Sequence, residues 1–180
     1  GSTFSYGEEH MEIAGSMLLG AEGSGNWNDL FNKYVRDALG LTEQEKQNFL
    51  PFPFPIEDIE FVLLSHAHID HCGRLPLLVK RGFRGKIYCT DATADLLTVM
   101  LKDSAYIHEK EAEWQNRKNQ RAGLEPVEPL YTVKDAEDAL NLVSPVLYDQ
   151  LIEINGHVKI VYNDAGHILG SAITEIWVEE

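Results

Sequence analysis

The chain has 180 residues, 44% of them hydrophobic and 24% charged, which is ordinary composition for one domain with its own core and too short for two. No apolar stretch reaches the ~18 residues that a membrane-spanning helix needs, and no basic, apolar, small-residue order marks a secretory signal. A net charge of −14 argues against a broad basic surface that holds nucleic acid by releasing counterions.

Gly1-Ser2 has the look of a protease remnant and His10-Met11 of a cloning junction. Residues 1–11 are therefore set apart as an irregular N-terminus that carries no function. Residues 11–19 read as a strand with a turn, and the Gly/Ser-rich residues 20–26 as a loop. Residues 28–39 read as a helix, with Leu30, Phe31, Tyr34, Val35 and Leu39 near one face. Thr42 with Glu45 forms a capping box for a short helix. Pro51, Pro53 and Pro55 then force an extended stretch.

Phe61-Val62-Leu63-Leu64 is a continuous apolar run, the pattern of a central strand buried on both faces. A short helix is expected over 75–80 and a strand over 86–90. Residues 91–121 read as helical, in two pieces. Thr132 with Asp135 opens another helix that runs to about Leu142. Residues 151–162 alternate around Asn155-Gly156, the signal of a hairpin with a type I′ turn. Residues 163–171 read as a loop and 172–178 as a last strand. Strands and helices mixed around one sheet system imply α/β or α+β layering.

Cys72 and Cys89 are too few for a disulfide framework. Both lie in or beside apolar stretches, which fits reduced, buried thiols in a cytoplasmic protein. The basic groups Lys80, Arg81, Arg84, Lys86 and Lys110, Arg117, Lys118, Arg121 read as solvated faces.

The chemistry concentrates in His66-Ala67-His68-Ile69-Asp70-His71. Zinc takes imidazole nitrogen and carboxylate oxygen, and a catalytic site keeps one position for water. In an extended segment residues two apart point the same way, so His66 and His68 can share one ion. Asp70 and His71 follow the strand end, where a turn can aim both at a second. The bland alternative is a polar loop whose histidines cap the next helix. Four ligands do not close two sites, and four further histidines stand elsewhere. His10 falls in the doubtful N-terminus; His108, in a charged helix, and His157, beside a hairpin turn, are expected to be exposed. His167, between Gly166 and Gly170, stands open between ligand and bystander by position alone.

The segment Ser65-His66-Ala67-His68-Ile69-Asp70-His71-Cys72-Gly73-Arg74-Leu75-Pro76 resembles the metallo-β-lactamase superfamily, and within it the RNA-processing β-CASP branch. Further similarities follow at Gly85-Lys86-Ile87-Tyr88, Thr90 with Ala92-Thr93, Asp103-Ser104-Ala105, Pro129-Leu130-Tyr131-Thr132 and Ala165-Gly166-His167-Ile168-Leu169-Gly170-Ser171-Ala172. The resemblance implies an αββα sandwich, here partial, with metals at one edge between two sheets. It implies that His66, His68 and His167 hold one zinc and that Asp70 and His71 hold another. Asp70 would also handle the proton of the attacking water. Residues 12–26 lack the early Asp-x-Gly segment of the family. Residues 12–180 would form the N-terminal part of the domain, with the bridging aspartate and a later histidine beyond Glu180. The expected function is a zinc-dependent phosphodiesterase fragment acting on RNA, weak or inactive in isolation, with no membrane partner. The alternatives are a thioester or lactone hydrolase of the same superfamily and a non-catalytic metal-binding module. Oligomeric state is not legible.

Overall fold

The computed structural model describes residues 50–179, together with the backbone of a short antiparallel pair, β1 (Phe4–Tyr6) and β2 (Glu9–Met11). Within residues 1–11 the two strands pair in a register that sets Phe4 opposite Met11. The elements expected between residues 12 and 49, including the helix over 28–39 and the Thr42/Glu45 cap, lie outside the described residues.

Past the prolines and one 3-10 turn at Ile56–Asp58, a parallel sheet is built from β3 (Phe61–Leu63), β4 (Lys86–Thr90) and β5 (Val143–Val146), in the order β3-β4-β5. β3 starts where expected but is half-buried, and among the described strands it stands at the end of this sheet rather than its centre. β4 takes the central place, and four of its five residues are buried. β5 has no counterpart in the sequence reading. Its Pro145 removes a ladder donor and hides the strand signal, yet proline is tolerated at a sheet edge, and among the described residues β5 pairs with β4 alone.

Among the described residues four helices belong to this half: α1 (Ile69–Cys72), α2 (Leu75–Lys80), α3 (Asp91–Ala122) and α4 (Val133–Leu140). The two pieces expected over 91–121 are one helix of 32 residues. Nothing inside it breaks the ladder, for it holds neither glycine nor proline. It stops at Gly123, whose φ of +68° suits a left-handed cap. Its distal turns gain support from Asn116, which pairs both ways with the Val127 backbone, and from buried Asn119, which donates to the Glu125 carbonyl. α4 opens with the expected box, in which the Thr132 hydroxyl and the Asp135 carboxylate cap each other's backbone. The helices pack on the sheet through Leu75, Leu78, Ile87, Leu97, Leu101 and Tyr131, all essentially buried.

The second sheet is antiparallel: β6 (Ile152–Asn155), β7 (Val158–Asp164) and β8 (Ala172–Val178), in that order. The hairpin forms as expected, but its turn differs. Asn155 pairs with Val158, so Gly156 and His157 are the central residues, and neither has the positive φ that a type I′ turn requires. The Asn155 side chain does the work instead, accepting from the His157 and Val158 amides at 2.9 and 2.8 Å. Ile160, Tyr162 and Ala172 meet Tyr88 and Val146 of the parallel sheet in a second core. The layers among the described residues are helices, parallel sheet, antiparallel sheet: the α/β part of the expected sandwich.

Candidate metal centre

The first sheet delivers two histidines and the second delivers one. After β3 the chain stays paired for one more residue, through Leu64 N–H and the Tyr88 carbonyl, then runs extended through His66 and His68. The two-residue spacing acts as expected: His66 Nε2 and His68 Nδ1 are 3.0 Å apart. His167 arrives from the loop between β7 and β8, its ring 4.9 Å from that of His66 and 5.0 Å from that of His68. One ring nitrogen from each of the three lies within 4.8 Å of the others. Ligands of a tetrahedral zinc with bonds of ~2.0–2.1 Å sit roughly 3.4 Å apart, so this donor set fits such an ion after small rotamer adjustments.

His68 stands at the N-cap of α1 but its side chain makes no capping hydrogen bond. The reading in which the histidines merely cap the helix is not what the geometry gives. His66 is buried, and its Nδ1 lies 2.9 Å from the Ser65 hydroxyl. That contact fixes the ring and leaves Nε2 turned toward His68, the usual arrangement behind a ligating imidazole.

Asp70 and His71 fall in the first turn of α1 rather than in an open turn. The His71 ring lies 4.0 Å from that of His66, and its Nε2 is 3.5 Å from the Asp70 carboxylate. The Asp70 side chain is 71% exposed. This pair borders the three-histidine cluster without belonging to it.

Burial holds His66 down to about 4, helped by repulsion from His71, His68 and His167. His71 is also lowered, chiefly by burial. Both are therefore neutral at neutral pH, which is the form that binds metal. Cys72 is buried, its Sγ donates to the Ala67 carbonyl, and burial pushes its thiol up to about 12. It packs beneath the motif as an inert thiol.

Of the other histidines, His157 is exposed as expected. His108 is not: its side chain is 24% exposed and its ring packs edge-on against buried Tyr131. His10 carries no described side chain. The eight basic residues of the two clusters are exposed, as expected. The sequence reading gave no role to Ser65, Thr90, Thr93 or Ser171. All four are small hydroxyl residues, whose use depends on neighbours distant in sequence.

A sequence model of the metallo-beta-lactamase superfamily domain matches residues 39–180. The chain is 36% identical over 127 residues to the transcription termination factor FttA of Methanocaldococcus jannaschii, covering 71% of this chain and 18% of that protein. It is 38% identical over 144 residues to FttA of Methanococcus maripaludis, covering 78% and 20%. With ribonuclease TTHA0252 of Thermus thermophilus it shares 33% identity over 130 residues, covering 72% and 26%. The chain thus spans about a fifth to a quarter of the length of these curated relatives. These relatives agree with the RNA-processing branch to which the sequence motifs point. On the matched domain and the converging histidines together, the chain belongs to the metallo-beta-lactamase superfamily.

Proposed function

We propose that this chain carries the first ligand cluster of a zinc-dependent phosphodiesterase that acts on RNA. The observation that carries the reading is the convergence of His66, His68 and His167 from two sheets onto one point. Among the relatives, one is named a ribonuclease and two are named transcription termination factors, which favours RNA over a thioester or lactone.

In this reading His66, His68 and His167 hold one zinc, and Asp70 with His71 contributes to a second. Zinc at such a site supplies Lewis acidity, polarising a phosphoryl oxygen and making water acidic enough to attack near neutral pH. His66 offers its nitrogen without first losing a proton, because burial keeps the ring neutral. The Ser65 contact holds that ring in one orientation. Asp70, open to solvent beside the cluster, takes up the proton of the attacking water. Among the described residues Asp70 and His71 offer two ligands to the second ion, so on this reading the chain by itself turns over RNA slowly. We place the protein in the cytosol, where Cys72 and Cys89, both buried and free, stay reduced.

The test is zinc titration by calorimetry, followed by cleavage of single-stranded RNA with zinc or with EDTA. Zinc uptake and slow, EDTA-sensitive cleavage support the reading. A folded sample that takes up no zinc would sink it.

A further inference from the structure

A ligand carried on a loop is placed only as well as the loop backbone is held. Residues 165–171 are held at two points. Ser171 is buried, and its Oγ accepts the amide of His167 at 3.0 Å and that of Ile168 at 3.1 Å. Its own amide donates to the Ile168 carbonyl at 2.9 Å, and its carbonyl accepts from Ala165 N–H at 3.1 Å and the Tyr148 hydroxyl at 2.8 Å. Gly170, just behind, lies against the first turn of α3. Its carbonyl accepts the Thr90 hydroxyl at 2.6 Å and the Thr93 hydroxyl at 2.8 Å.

Helix capping does not account for this pair. As N-cap, Thr90 needs only to accept from Thr93 N–H, which it does at 3.3 Å. Capping makes no demand on the side chain of Thr93, where a valine would fill the same space. Both hydroxyls are nevertheless turned to one carbonyl of a loop some eighty positions away, and both threonines are buried. The path runs from Thr90 and Thr93 to Gly170, from Ser171 Oγ to the His167 amide, and so to the imidazole at the cluster.

We infer that Ser171, backed by Thr90 and Thr93, is a positioning residue that fixes His167 for metal binding, an inference that rests on reading His66, His68 and His167 as a zinc site. Supporting residues one step removed from a metal typically change its affinity by ~10–100-fold. The test compares the full chain with Ser171→Ala, Thr93→Val and Thr93→Ser. Zinc affinity is read by calorimetry, ligand geometry by the visible absorption of the cobalt-loaded protein, and folding by circular dichroism in EDTA.

Ser171→Ala and Thr93→Val are expected to fold, to bind zinc about ten-fold or more weakly, and to alter the cobalt spectrum. Thr93→Ser, which keeps the hydroxyl, restores both. Folded Ser171→Ala and Thr93→Val with unchanged affinity and spectrum overturn the inference while leaving the zinc site standing. Should Ser171→Ala not fold, the threonine pair decides: equal affinity of Thr93→Val and Thr93→Ser overturns it. A wild-type chain that takes up no zinc fails at the earlier step, the zinc site itself.

Discussion

His66 shows how one residue couples position to chemistry. Its ordinary value of 6.5 is lowered to about 4, first by burial and then by its neighbouring histidines. The folded metal-free chain therefore resists a proton that the unfolded chain accepts below 6.5. The stability linked to this ring is fully present above pH 6.5 and is lost as pH falls toward 4. His71, shifted in the same direction, adds to the same trend. Urea unfolding in EDTA at pH 7 and at pH 5 is expected to give a lower midpoint at pH 5. Replacing His66 with Gln should reduce the difference; an unchanged difference in that variant would assign the effect elsewhere.

Single elements carry their own tests. α4 depends on its capping box, in which the Thr132 hydroxyl accepts the Asp135 amide at 3.2 Å and the Thr132 amide donates to the carboxylate at 2.8 Å. Thr132→Ala is expected to cost about 1 kcal/mol, read as a shift in the urea midpoint, with zinc affinity unchanged because α4 packs on α2 and α3. The β7–β8 loop responds differently. Gly170 has φ of +80°, and a Cβ there would come within 2.5 Å of the Thr93 amide. Gly170→Ala should cost at least the ~1–2 kcal/mol of the left-handed region and weaken zinc binding as well. If stability falls and zinc affinity holds, the loop is not coupled to the site.

These elements also mark where sequence patterns stop being informative. The capping box, the hairpin alternation and the apolar run before the motif are local signals, and each produced its element. The break expected in α3 is absent, although its distal half is strongly polar. Tertiary bonds from Asn116 and Asn119 to residues 125–127 carry that half instead. β5 stayed hidden because Pro145 reads as a breaker in isolation, whereas pairing with β4 alone among the described residues leaves it room.

At the scale of the whole molecule, the cluster joins two sheets. His66 and His68 follow β3 of the parallel sheet, and His167 lies between two strands of the antiparallel one. An ion bound by all three ties the halves together and stabilises the folded state by linkage. At zinc a hundred-fold above its Kd this is worth ~2.7 kcal/mol, and each kcal/mol raises the melting temperature of a chain this size by ~2–4 °C. Adding zinc to the EDTA-treated protein is expected to raise Tm by several degrees, and His167→Ala to abolish that rise. An equal rise in His167→Ala would place the ion elsewhere.

The sequence by itself named the candidate donors and half of their geometry. An extended backbone puts His66 and His68 on one side wherever the strand goes, and the dense run of imidazoles and a carboxylate names the chemistry. His167 stood apart from His108 and His157 by its flanking glycines and by the family resemblance, but position alone left it open between ligand and bystander. Its approach to His66 and His68 is visible only in the tertiary structure: packing the two sheets through Tyr88, Ile160 and Tyr162 brings the β7–β8 loop to the end of β3. Burial, which lowers His66 and His71, and the clamp on Gly170 and Ser171 arise from the same packing. They join residues far apart in the chain, and no periodicity or spacing records such contacts.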